Sequence, residues 1–169
     1  MIKEPVIIKS VELLRSGKFY LVRTRSKDGV EGISVTGSKI KYLYPMLIQQ
    51  VFPFFIGKDA RDLEALIDGV YVYDSNYNMQ GLPFRVCVAW MEFSVLDLLG
   101  KTAGRHICEF FGKRVRDKVP IYTASGNRGT TPEEEVAILQ KKIAETGAKA
   151  IKFKVGGRMS RNRDSIPNR

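Results

Sequence analysis

The chain has 169 residues, enough for one domain and part of a second, and 44% of them are apolar, as in ordinary globular proteins. No apolar run reaches the roughly 18 residues that a membrane span needs, and the first residues lack a signal-peptide pattern, so we expect a cytoplasmic protein. One histidine and two cysteines without paired spacing exclude a histidine-rich metal site, a zinc ribbon and a disulfide framework. The net charge of +10 could attract an anionic partner. The basic residues form no single block, however, and this favours a solvated basic surface.

The first segment of the sequence predicts an antiparallel meander of about three strands. Apolar and polar residues alternate over residues 6–14, 18–26 and 30–35. Residues 27–29 end in a glycine and are typical of a tight turn between the last two of these strands.

Helical spacing of apolar residues follows the predicted meander. Ser38 is expected to cap a helix over residues 40–51, in which Pro45 should cause a kink or a restart. The apolar run 51–57 is expected to be a loop.

Three more helices are predicted before residue 113, and the last of them is a short one over residues 107–111. Asp59 is a suitable cap for the first of them. Residues 84–99 form the strongest predicted helix, and Gly100 is expected to be the first residue after its end.

The pattern then changes to strand, helix and strand. Residues 119–124 and 150–155 read as short strands, and Thr131 begins a capped helix between them that runs to about residue 146. Such a βαβ unit predicts two parallel strands. We therefore expect an α+β domain over residues 1–113 and the beginning of an α/β domain over 114–169. A two-stranded parallel sheet cannot bury both of its faces, so the second domain is expected to be incomplete.

The second of these strands contains the one pattern that suggests chemistry. Lys152 and Lys154 fall on one face of the strand, roughly 7 Å apart, with Ile151, Phe153 and Val155 on the other. Two ammonium groups this close lower the pKa of one of them, and a lysine with a lowered pKa can act as a general base. The same alternation also describes an edge strand on which lysines prevent aggregation.

Five separated segments provide context for the two lysines. They are residues 28–32 (DGVEG), 54–59 (FFIGKD), 90–101 (WMEFSVLDLLGK), 110–112 (FFG) and 119–122 (VPIY). In order and spacing they resemble the mandelate racemase and muconate lactonizing enzyme group of the enolase superfamily. Ser94 and Val95 depart from the small residue and the aromatic residue that are common in this group.

The resemblance implies a fold and an activity. Residues 1–113 would be an α+β capping domain, a three-stranded antiparallel meander followed by helices, and 114–169 the first βαβ unit of an incomplete (β/α) TIM-type barrel. The parent enzyme would be an acid-sugar dehydratase, racemase or cycloisomerase that abstracts a proton α to a carboxylate. Lys154 would be the base, Lys152 would tune it, and Mg²⁺ would bind to acidic ligands that are absent from this chain.

The resemblance also implies contacts with the substrate and with partners. Tyr20, Phe54 and Arg158 are the candidate substrate-binding residues, although Phe54 could equally fill the core and Arg158 could belong to a basic chain end. The expected partners are a small acid-sugar carboxylate and either a homo-oligomer or a complementary C-terminal chain, while a membrane or a nucleic acid is not expected. The 169-residue chain alone is expected to be inactive. The alternative is a non-catalytic basic module that binds an anionic partner or a complementary chain.

Overall fold

A computed structural model describes residues 2–127 and 129–153. The chain divides into two compact units, Met1–Arg114 and Val115–Arg169, which we call unit 1 and unit 2 and describe separately. No helix in the described part of the chain is both long enough and apolar enough to cross a membrane.

Unit 1 opens with an antiparallel sheet whose strand order is β1-β2-β3. The strands are β1 (Ile8–Ser16), β2 (Phe19–Ser26) and β3 (Glu31–Val35). At the turn between β2 and β3, Gly29 adopts a φ of 86°, a conformation that glycine reaches without steric cost. The predicted three-stranded meander is therefore confirmed.

A nearly continuous helical segment follows the sheet. It consists of α1 (Ile40–Met46), a wider π-helical turn (Leu47–Val51) and α2 (Phe52–Phe55). The prediction of a loop over 51–57 was wrong for residues 51–55, because Phe52, Phe54 and Phe55 are buried and stabilise helical structure there through packing. Ser38 is not the cap of α1, whose N-cap residue is Lys39 without a side-chain cap hydrogen bond.

Asp59 caps the next helical segment, as predicted. Its carboxylate accepts a hydrogen bond from the Arg61 amide over 3.1 Å at the start of a 3₁₀ turn (Ala60–Asp62), which leads into α3 (Leu63–Val70). The same carboxylate oxygen accepts a hydrogen bond from the Val6 amide over 3.0 Å. Asp59 thereby ties this helix start to the segment before β1.

The longest described helix, α4 (Leu82–Ala103), packs across β2 and β3. The buried Thr24 and Ser94 hydroxyls lie 2.7 Å apart, and the Ser34 hydroxyl donates to the Trp90 carbonyl over 2.6 Å. A Cβ atom at Gly32 would lie 2.0 Å from the Ser94 carbonyl oxygen, so only glycine permits this approach of strand to helix.

The predicted end of α4 at Gly100 was wrong. The helix runs one more turn and ends at Gly104, which takes the left-handed conformation with φ 61°. Gly100 lies inside the helix, where a Cβ atom would be 3.1 Å from the Arg105 carbonyl oxygen. Gly100 therefore allows the chain after α4 to fold back against the helix, before a 3₁₀ turn (Ile107–Phe110).

The outer edge of β3 is covered by polar side chains of α4. The Asp97 carboxylate accepts hydrogen bonds from the Ile33 amide and the Lys101 ammonium, both over 2.7 Å. Lys101 also donates to the Glu31 carbonyl over 3.0 Å. Two backbone groups of an edge strand are thereby satisfied, which hinders pairing with another chain at this edge.

Unit 2 contains β4 (Thr123–Ala124), α5 (Pro132–Thr146) and β5 (Ile151–Lys152). The two strands pair in parallel, which confirms the predicted βαβ arrangement. A reciprocal capping box between Thr131 and Glu134 begins α5, and Gly147 ends it with φ 65°.

Candidate functional site

The parallel strands of unit 2 bring their carboxyl ends to one edge of the small sheet. Ala124 pairs with Lys152, and the Ser125 amide donates to the Lys152 carbonyl over 2.8 Å. Because Lys152 is the last residue of β5 and Ser125 directly follows β4, both lie at this edge. The capped helix α5 makes this possible, since it returns the chain to the start of the second parallel strand.

Lys152 is the one predicted catalytic residue in the described part of the chain. Its side chain is exposed, and its Nζ atom lies 5.5 Å from the centroid of the Tyr122 ring, within the range of a weak cation–π contact. Lys154 and Arg158 lie outside the described residues. The expected placement of Lys152 and Lys154 on one face therefore stays a prediction.

A polar cluster near this edge was missed by the sequence analysis. The Thr130 hydroxyl donates to Glu135 Oε2 over 2.7 Å, and Lys142 donates to the Ala124 carbonyl over 3.3 Å. The hydroxyls of Ser125, which is buried, and of Thr130 lower the pKa of Glu135. These contacts tie β4 and the loop after it to α5.

Glu135 lies in a run of three acidic residues, 133–135, at the start of α5. Thr131 was expected to begin a capped helix here, and Glu134 does complete its capping box. Glu135 follows Thr130 by five residues, and its side chain reaches back to the loop instead of to the helix terminus. Only the folded loop distinguishes these two neighbouring carboxylates.

Tyr20, a predicted substrate-binding residue, borders a cleft in unit 1 of about 420 Å³. The Arg15 guanidinium carbon lies 5.8 Å from the centroid of its ring. The cleft is lined by residues at the ends of β2 and β3 and the start of α1: Lys18, Phe19, Tyr20, Val35, Thr36, Gly37, Ser38, Ile40 and Lys41. Ammonium and hydroxyl groups beside aromatic rings can bind a small polar anion.

Phe54, the other described candidate, lies in the core of unit 1. Its side chain is buried, and its ring centroid lies 5.5 Å from that of Phe55 and 5.2 Å from that of Tyr73. The Nζ atom of Lys58 lies 3.0 Å from the centroid of the Phe54 ring. Burial lowers the pKa of Lys58. Of the two roles left open for Phe54, the structure shows the packing role, whereas binding of substrate stays a prediction.

A magnesium site requires several oxygen ligands that converge on one point. Among residues 2–127 and 129–153, no three histidine, cysteine, aspartate or glutamate side chains come together in this way. The described residues therefore do not fit a bound metal ion.

No protein-family model matches the sequence. Among curated proteins, the chain is 25% identical over 156 residues to a D-galactonate dehydratase family member of Paenibacillus sp. (strain JDR-2). That alignment covers 89% of this chain and 36% of the relative, so the chain spans about a third of the length of the curated relatives that it matches. Other matches are D-mannonate dehydratases, among them that of Sphingomonas sp. (strain SKA58).

Solved structures agree with these sequence matches. A mandelate racemase/muconate lactonizing protein from Paracoccus denitrificans PD1222, complexed with magnesium, has a TM-score of 0.76 at 21% identity, covering 88% of this chain and 42% of that one. A racemase-like protein from Roseobacter denitrificans has a TM-score of 0.79 at 27% identity, and the match covers 95% of this chain and 43% of that one. The meander followed by helices corresponds to the capping domain of such proteins. The chain is therefore similar in sequence to part of these sugar-acid dehydratases, and its fold is that of the N-terminal portion of mandelate racemase/muconate lactonizing proteins.

Proposed function

We propose that this chain is the N-terminal portion of an enzyme that removes the proton α to the carboxylate of an acid sugar, as a dehydratase, racemase or cycloisomerase. The names of the curated relatives support a sugar-acid dehydratase most directly. The observation that carries the proposal is the parallel pairing of β4 with β5, which has Lys152 at its carboxyl edge. In (β/α) barrels this edge is where active sites are found.

The two lysines have different roles in the proposed reaction. Lys154 acts as the base: its amine takes the α-proton, the C–H bond breaks, and the electron pair moves into the carboxylate to form an enediolate. Lys152, as an ammonium, lies beside the carboxylate and offsets the negative charge that grows on its oxygens. This arrangement favours the transition state over the bound substrate, because the extra charge exists only after the proton begins to leave.

Unit 1 supplies specificity in the proposed enzyme. Tyr20 and the lysines of its cleft contact the hydroxyl groups of the sugar acid, and Arg158 pairs with an anionic group of the substrate. Phe54 contributes through its packing in the core of unit 1. The proposed enzyme uses Mg²⁺, as the magnesium in one structural relative suggests. Because the described residues do not fit the ion, its ligands would lie elsewhere in the enzyme.

The proposal is tested by proton exchange and by turnover. The 169-residue chain is incubated with D-mannonate or D-galactonate and Mg²⁺ in D₂O, and NMR follows loss of the α-proton and formation of product. We expect neither from this chain alone. A longer protein that contains the chain should show both, and Lys154→Ala should lower kcat about 10²–10⁴-fold, as expected for loss of a general base.

Lys149→Ala is the matched control, because Lys149 is exposed and lies just before β5. It should leave kcat unchanged. Full activity of the Lys154→Ala variant would refute the assigned role of Lys154. Turnover by the 169-residue chain alone would refute the expectation that residues beyond it are required. Salt-sensitive comigration with nucleic acid, without turnover in the longer protein, would favour a basic binding module instead.

A further inference from the structure

One face of helix α5 holds the end of β4 in unit 2. Glu135, Leu139 and Lys142 follow one another at steps of four and three residues, so they lie on the same face of the helix. Leu139 is buried, and Lys142 donates a hydrogen bond to the Ala124 carbonyl over 3.3 Å. This face of α5 therefore packs against β4 with an apolar residue between two charged ones.

Glu135 contacts both ends of the loop that follows β4. Its Oε2 atom accepts a hydrogen bond over 2.7 Å from the hydroxyl of Thr130, near the far end of the loop. At the near end, the hydroxyl of the buried Ser125 interacts with the same carboxylate and, like that of Thr130, lowers the pKa of Glu135. The Oε1 atom of Glu135 is shielded from solvent. We call Ser125, Thr130 and Glu135 the loop clasp.

The tip of the loop has few contacts of its own. Gly126, Asn127 and Gly129 are exposed, and a Cβ atom at either glycine would meet no atom of another part of the chain within 4 Å. Packing therefore contributes little to the order of these described tip residues. The contacts at the two ends of the loop are what limits its conformations.

Ser125 also connects the loop clasp to Lys152. The Ser125 amide donates to the Lys152 carbonyl over 2.8 Å, and Lys152 is the last residue of β5. The ladder between β4 and β5 is only two residue pairs long, so its terminal hydrogen bond is one that opens at low cost. Glu135 restrains this bond, because the side chain that it contacts belongs to the residue that donates the bond.

We propose that Glu135 is a positioning residue: its carboxylate fixes the loop after β4 and, through Ser125, the carboxyl end of β5 that carries Lys152. The role of this arrangement in catalysis rests on the function proposed above. In that reaction the Lys152 ammonium offsets charge on the substrate carboxylate, and the interaction of two charges depends on their distance. An ammonium on a displaced strand end stabilises the transition state less.

Hydrogen exchange of the 169-residue chain, followed by NMR, tests the arrangement without any activity. Glu135→Ala should raise the exchange rate of the Ser125 amide at least about tenfold, since the loop loses its clasp. Glu135→Gln should change that rate less than about threefold, because its amide oxygen still accepts a hydrogen bond from the Thr130 hydroxyl. Glu133→Ala is the matched control, since Glu133 is exposed and has the same charge in the first turn of α5, and it should leave the rate unchanged.

A further variant separates the loop clasp from a general loss of stability. Leu139→Ala destabilises unit 2 from a position outside the clasp, so it should accelerate the amides of α5 and of Ser125 by similar factors. Glu135→Ala should instead accelerate Ser125 more than α5. Equal acceleration of all these amides by Glu135→Ala would overturn the proposal. So would a Glu135→Gln variant as impaired as Glu135→Ala.

Kinetics of the longer protein test the consequence for catalysis, with D-mannonate or D-galactonate as the substrate. Glu135→Ala should lower kcat about tenfold and change KM less than about threefold, as for a displaced group that acts in the transition state. Glu135→Gln should keep at least about half of the wild-type kcat, since the acceptor remains.

The two measurements distinguish failure of this proposal from failure of the proposed function. A wild-type longer protein that exchanges no α-proton would refute the proposed function, and hydrogen exchange at Ser125 would still decide whether Glu135 holds the loop. An active longer protein in which Glu135→Ala leaves kcat unchanged would overturn the positioning role.

Discussion

Units 1 and 2 both contain regular helices and strands, but they differ in how much apolar surface they bury. In unit 1 the side chains of Phe55, Phe84, Met91 and Leu98 are completely buried. In the described residues of unit 2, Leu139 is the one buried apolar side chain, whereas Val119, Ile121 and Phe153 are 70%, 77% and 60% exposed. Other exposed apolar side chains of unit 2 are those of Val115, Tyr122, Val136 and Ile151.

This contrast shows that local signals are sufficient for secondary structure but not for a core. Helix α5 has a complete capping box, a proline in its first turn and a glycine at its end. A two-stranded sheet with one helix nevertheless has too few neighbouring elements to enclose its apolar side chains. Unit 1 succeeds because α4 lies across strands that are distant from it in sequence.

The largest expected effect on stability comes from replacing one buried leucine by alanine in each unit. Leu98→Ala should reduce the free energy of unfolding of unit 1 by about 2–5 kcal/mol, since a completely buried side chain leaves a cavity. Leu139→Ala should cost about 1.5 kcal/mol, because the surroundings of Leu139 are exposed and little beyond the transfer term is lost. Urea unfolding followed by the fluorescence of Trp90, the single tryptophan, reports on unit 1, and hydrogen exchange in α5 reports on unit 2. Equal losses would show that unit 2 has a core of similar depth.

A glycine substitution tests how closely α4 approaches the sheet. Gly32→Ala should destabilise unit 1 by about 3 kcal/mol, because the new Cβ atom meets backbone atoms of α4 at 2.0 and 2.4 Å. Gly37→Ala is the control within the same unit, since its Cβ atom would be 3.7 Å from the nearest atom, a Trp90 ring carbon. Thermal unfolding followed by circular dichroism measures both. A Gly32→Ala variant as stable as the control would mean that β3 and α4 separate at little cost.

A smaller effect is expected from the polar groups on the helices of the two units. Asp97→Ala removes the acceptor of the Ile33 amide and of Lys101, and should cost unit 1 about 1.5 kcal/mol. In α5, Lys141 and Glu145 form a pair at 4.0 Å with side chains 79% and 60% exposed, so Glu145→Ala should cost less than about 0.5 kcal/mol. Urea unfolding of the two variants measures both costs, from the shift of the midpoint at an unchanged dependence of the unfolding free energy on urea. An equal cost would contradict the role of Asp97 in protecting the edge of β3.

The smallest effect depends on pH and concerns Asp59. The Arg61 side chain, together with the Arg61 and Val6 amides, holds the pKa of Asp59 below its ordinary value of 3.8. A depressed pKa means that the stabilisation is present above 3.8 and is lost as the pH falls through the lower, folded-state pKa. The difference in unfolding free energy between wild type and Asp59→Asn should be constant near neutral pH and should shrink below pH 3.8. A difference that stays constant into strong acid would show that Asp59 does not titrate with folding.

The meander and the start of α5 could be predicted because each depends on residues close in sequence. The parallel pairing of β4 and β5 could be predicted because a single capped helix separates the two strands. The predicted end of α4 failed because Gly100 and Gly104 are equally suitable in sequence, and only packing against Arg105 distinguishes them. The predicted loop over 51–57 failed for a similar reason. Phe54 is helical since its ring packs in the core of unit 1, partly against Tyr73 from a later helical turn.

The candidate site shows the same division. Lys152 was found because alternation along a strand and the upstream resemblance are both visible in the sequence. The contact of Glu135 with the loop after β4 was missed, since it exists only once that loop has folded against α5.

The sequence by itself determined the order of elements, the helix caps at Thr131 and Asp59, and the resemblance to the enolase superfamily, because these depend on local residue patterns. The tertiary structure alone decided which apolar residues became core and which became surface. Phe54 is buried under Lys58, whereas Val35 is left on an open sheet face, although both are apolar. The physical reason is that burial depends on the elements that pack against a residue, and those elements come from distant parts of the chain.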